Sequence, residues 1–71
     1  MIWHKYPEEK PEYGTNCLCR CDSKAGVWYD VFRYIEDKDT PWFSAETETR
    51  YFRRIVDQWI PISDIEENTF P

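Results

Sequence analysis

The sequence predicts a small, mainly β domain: a single antiparallel meander of three to five strands, or an SH3-like curled sheet. Three observations carry this. Thirteen of the 71 residues are aromatic (4 Trp, 5 Tyr, 4 Phe), and chains that stay disordered are poor in such rings. The aromatic and β-branched residues come in short runs separated by Gly, Pro and acidic clusters, as strands are by turns. Cys17, Leu18, Cys19, Arg20 and Cys21 alternate with the period of a strand. The length allows one domain, residues 1–63, with an acidic tail at 64–71 expected to fray. So short a chain is near the minimum for a self-sufficient core. Either most of its rings are buried, or a partner or second copy covers them.

Taken in order, residues 1–16 set Pro7, Pro11 and Gly14 among Glu8, Glu9 and Glu12, which reads as an extended arm and a turn. Residues 16–22 follow as a strand with the three Cys on one face. Ser23, Lys24, Ala25 and Gly26 make a turn, Gly26 being free to take a positive φ. Residues 27–36 are the longest run of β-formers. Both of its parities carry apolar side chains, so it is either buried on both faces or bulged. Acids and Pro41 end it. Trp42, Phe43 and Ser44 form a short third strand, and 45–49 is a loop. Residues 51–62 form the last strand, bent near Arg53 and Arg54 and stopped at Pro61. A short helix within 45–58 is the rival, because Phe52, Ile55, Val56 and Trp59 fit i, i+3, i+4, i+7 spacing. The β-branched and aromatic composition favours the strand.

The net charge is −5. Residues 1–35 balance, and residues 36–71 supply the whole excess. An acidic balance argues against nucleic acid as a partner, since phosphate binding calls for net positive charge. No apolar run is long enough to span a membrane, and no signal peptide opens the chain. Cys17, Cys19, Cys21 and His4 have the right chemistry and number for zinc, but C-x-C-x-C on a strand spaces the sulfurs too widely for one metal. They read as small core residues; no metal, cofactor or catalytic residue is assigned. The odd Cys count fits a reducing cytoplasm. His4 lacks the base-and-orienter pattern of a nucleophilic pair, and two glycines build no phosphate loop. The chain therefore reads as non-enzymatic.

The candidate interaction residues are Trp28, Trp42, Tyr51, Phe52, Arg53 and Arg54. With Arg50, the last four form the single basic-aromatic cluster, the type of surface that holds single-stranded nucleic acid. Trp28, Tyr29 and Trp42 beside Asp30, Asp37 and Asp39 could instead cage a cation. Trp3, Pro11, Trp59 and Pro61 are read as a structural clamp, with Trp3 or Trp59 packing near the opposite terminal segment. Trp-x-Pro at a strand end lets the ring pack while Pro closes the edge.

Trp3, then Pro11-Glu12, Gly14 and Cys17-Leu18-Cys19 open a pattern that Trp42-Phe43 continues and Val56-x-x-Trp59-x-Pro61-Ile62 closes. In order and spacing this resembles a family of short phage and prophage proteins, the domain-of-unknown-function family 551. Its members read W-x7-P-E-x-G-x2-V-L-V at the start and V-x-H-W-x-P-L-P at the end. The resemblance covers residues 3–62. Gln58 stands where the family has His, Cys17-Leu18-Cys19 where it has Val-Leu-Val, and Ile62-Ser63 where it has Leu-Pro. The resemblance implies a small β-rich cytoplasmic protein of phage or bacterial origin, and brings no activity, cofactor or partner. The expected function is a non-enzymatic protein-binding module, contacting a partner protein or its own copy; the alternative is a single-strand nucleic-acid binder using Arg50, Tyr51, Phe52, Arg53 and Arg54.

Overall fold

The structure, a computed structural model, describes residues 2–69, with side chains through Ile65. Six antiparallel strands form one sheet: β1 (His4–Lys5), β2 (Asn16–Ser23), β3 (Gly26–Tyr34), β4 (Trp42–Ser44), β5 (Thr49–Tyr51) and β6 (Val56–Pro61). Their spatial order is β1-β6-β2-β3-β4-β5. The chain is thus a four-strand meander, a 3-10 turn at Arg53–Ile55, and a last strand that returns to pair with the first strand of that meander. The sheet is antiparallel and open at its two edges, as the mainly β reading expects, with six strands where three to five were expected. The Tyr6–Pro7 peptide bond is cis.

One face of the sheet is the core. Cys17, Cys19 and Cys21 alternate inward with no exposed surface, opposite Phe32, Asp30 and Trp28 on β3. Tyr34, Trp42 and Tyr51 stand in register across β3, β4 and β5. From the arm, Tyr6 closes on this group edge-to-face, 5.2 Å from the Trp42 ring and 6.3 Å from Tyr34. Such aromatic contacts add about 0.5–1.5 kcal/mol each beyond their buried area. A bulge between Arg20 and Cys21 sets Asp57 apart in β6, where its carboxylate pairs with Arg20 across the strands. Gly26 closes the β2–β3 hairpin at φ 124°, a conformation that L side chains rarely adopt.

Two expectations change. The last strand read at 51–62 is two strands, because the 3-10 turn at the anticipated bend reverses the chain and sends β5 and β6 to different sides of the sheet. The short helix anticipated within 45–58 is that single turn. The acidic stretch from Asp64, expected to fray, is helical: α1 (Ile62–Thr69) packs on β6 and β2, where Ile60 is fully buried on the sheet's other face. Residues 70–71 of that stretch lie outside the described residues.

Candidate functional site

The sequence-derived candidates do not converge. Trp42 has no exposed surface; its ring lies among Tyr6, Phe32 and Tyr34, so it is core and not a contact residue. Trp28 and Tyr51 are half-buried against the same core, Tyr51 with its ring 4.8 Å from Phe32. A cation cage built on Trp28, Tyr29 and Trp42 is therefore not formed: Trp28 and Trp42 face inward, and Tyr29 faces outward. The 50–54 cluster is also divided. Tyr51 points into the core, while Arg50, directly paired with Phe43, lies on the opposite face. Phe52, Arg53 and Arg54 alone are exposed together, at the 3-10 turn.

The clamp residues divide too. Trp59 is 6% exposed, stacks on His4 at 4.5 Å and donates its indole N–H to the Glu9 carbonyl at 2.8 Å. It thus ties the last strand to the arm, and buried Pro11 lies with Trp59 and Pro61 around one small depression. Trp3 does not share this packing. It is half-buried on the outer face, its ring 6.0 Å from Tyr29.

A cleft of about 490 Å³ lies where three segments meet: the arm after β1, the β3–β4 loop and the 3-10 turn. The Arg53 N–H donates to the Asp39 carbonyl at 3.1 Å and fixes the turn to that loop, while the Tyr6 N–H donates to the Asp57 carbonyl at 2.9 Å and fixes the arm. Tyr6, Pro7, Tyr34 and Val56 make an apolar floor. Burial and the neighbouring Tyr34 phenol push the Tyr6 hydroxyl up to about 12, so it is neutral at physiological pH. Four cations, Lys10, Lys38, Arg53 and Arg54, stand around this floor. All four are exposed, and none is in an ion pair among the described residues.

Two of the three carboxylates at the cleft are already engaged. Asp57 is paired with Arg20. Asp37 accepts from the Thr40 and Asp39 N–H groups, which hold its carboxyl below the ordinary range, and lies 3.8 Å from Arg50. Glu36 remains, held at φ 58°, a left-handed conformation uncommon for a residue with a side chain. Lys10, Lys38, Tyr6 and Tyr34 were not singled out in the sequence: they come from distant segments, and no local pattern connects them.

The three cysteines are free, buried thiols. Each Sγ reaches back to a main-chain carbonyl two residues earlier, at 3.7–3.9 Å. Burial pushes Cys17 and Cys21 up to about 12, and Cys19 further, in the opposite direction to a reactive thiolate. Among the described residues no His, Cys, Asp and Glu cluster could hold a metal ion, and no helix is long and apolar enough to cross a membrane. Comparison with family models, with curated proteins and with solved structures finds no match to this chain.

Proposed function

We propose that this is a non-enzymatic protein-binding module, and that the cleft at the 3-10 turn takes an extended acidic segment of its partner. One observation carries the reading: an apolar, tyrosine-floored cleft is rimmed by four cations with no ion-pair partner among the described residues, while two of its three carboxylates are neutralised by other groups. In a protein of net charge −5 this is a local inversion of sign. Complementary charge steers and orients a partner, and apolar burial supplies the affinity. The chemistry of the nucleophiles favours a binding role: the thiols are buried and protonated, and His4 is occupied by Glu9 and the Trp59 ring. Free buried thiols fit a reducing cytoplasm. The phage or prophage setting is proposed on the resemblance alone, and the genes beside this one would test it.

The cleft reading is tested with a short labelled peptide alternating Glu and Pro, followed by fluorescence anisotropy at low salt. Binding is expected, weakened about tenfold or more, roughly 1.4 kcal/mol, in the Arg53→Ala/Arg54→Ala double variant. Both residues are exposed, so the fold should be unaffected. Equal affinity in the double variant, or no binding at low salt, overturns the assignment.

A further inference from the structure

The outer face of the sheet does not follow the polar pattern of a solvated antiparallel sheet. Along central strand β3 its outward residues Val27, Tyr29 and Val31 are apolar and 48%, 59% and 49% exposed. Trp3 leans on Tyr29, and Leu18 stands beside Val31. The charges on this face also run against the whole protein. Its described strand positions carry Lys5, Arg20, Arg33 and Arg50, against Asp22 and the Asp57 carboxylate that pairs with Arg20. Arg20 is spoken for by Asp57 and Arg50 is loosely held by Asp37, but Arg33 and Lys5 are in no ion pair among the described residues.

Ring and cation alternate in space. Arg33, Phe43 and Arg50 form one register row across β3, β4 and β5, so two guanidinium groups flank a half-buried ring at two strand spacings, about 9–10 Å. A second row runs from Lys5 through Gln58 and Arg20 to Tyr29. We infer that this face binds a single strand of nucleic acid, bases stacked on Tyr29 and Phe43 and phosphates on Arg33 and Arg50. The occupant must be anionic and must also present flat apolar faces. An acidic peptide meets only the first condition, and a duplex keeps its base faces stacked away from protein rings. Net charge counts against nucleic acid over the whole chain, but Arg33 and Arg50 stand on the β3–β5 side of this face, whereas α1, which carries Asp64, packs over its β6 and β2 side.

The experiment measures binding of labelled oligothymidylate to the full chain by anisotropy as a function of salt, beside Tyr29→Ala, Arg33→Ala and Arg53→Ala/Arg54→Ala variants, with thermal unfolding as the check on folding. Tyr29 and Arg33 are exposed, so their variants should keep the parent midpoint. Expected are salt-sensitive binding, a loss of about tenfold in Tyr29→Ala, a shallower salt dependence in Arg33→Ala, and no change in the turn double variant. Binding lost only in the turn variant would move the site to the cleft and overturn the proposal. So would equal binding of duplex DNA, or no binding at low salt. The cleft reading is tested separately with the Glu–Pro peptide, so failure of this proposal does not by itself remove it.

Discussion

Replacing Trp59 with alanine is expected to destabilise the domain by about 3–5 kcal/mol, the usual cost of removing a large buried ring. At about 0.05–0.15 kcal/mol per residue, a chain of 71 residues has only about 4–11 kcal/mol in total. The loss is therefore a large part of all there is, and much of the population should unfold near 37 °C. The cost concentrates here because Trp59 joins three segments: it lies opposite Cys19 on β2, stacks on His4 of β1, and holds the Glu9 carbonyl of the arm. Trp59→Phe keeps most of the packing and loses the indole N–H, so it should cost about 0.5–1.5 kcal/mol beyond the change in ring size. Urea midpoints decide it. A Trp59→Ala midpoint equal to the parent's would remove the clamp from the account.

The second large effect is with pH. Cys17 and Cys21 are held protonated to about 12 in the folded chain, against an ordinary value of 9.0, Cys19 to a still higher pH, and Tyr6 to about 12 against 10.0. Between those limits the unfolded chain gives up protons that the folded chain keeps. The folded state is then the one with more protons bound, and stability falls as pH rises. The contribution of these groups is fully present below about pH 9 and is lost through the interval up to about pH 12, at about 1.4 kcal/mol per pH unit for each group titrating. Alkaline unfolding should therefore begin near pH 10, and Cys19→Ala should make the decline shallower even though it lowers stability at neutral pH. Urea midpoints that stay level from about pH 8 to about pH 11 would contradict this.

Much of the core was readable because period two is a strong signal. Cys17, Cys19 and Cys21 could share a face only on a strand, and that face is the core. Trp42–Ser44 was bounded by Pro41 before and polar residues after, and β4 lies there. In β3 the two apolar parities were ambiguous for a physical reason: one parity is core, and the other is apolar and exposed, a pattern that burial on both faces would mimic. Trp42 was misassigned because nearby acids suggested a wet setting, yet its position opposite Tyr34 and Tyr51 places it at the centre of the ring cluster. The reversal at Arg53–Ile55 was read as a bend, since apolar periodicity does not distinguish a kinked strand from two strands on different sides of a sheet. The helix after Pro61 had a weak cue in Ile62 and Ile65, spaced i, i+3, which the acidic composition obscured. The cleft was hidden for a simpler reason: Lys10, Lys38 and Arg53 meet only after the chain has folded.

The central functional claim is that the cleft is the partner-binding surface. It is tested most directly by following the backbone amide NMR resonances of the full chain while the Glu–Pro peptide is added. The moving resonances are expected to cluster at Tyr6, Lys10, Tyr34, Lys38, Arg53 and Arg54, while those of Tyr29 and Val31 stay in place. Shifts centred on Tyr29 and Val31, or none at any peptide concentration, would contradict it.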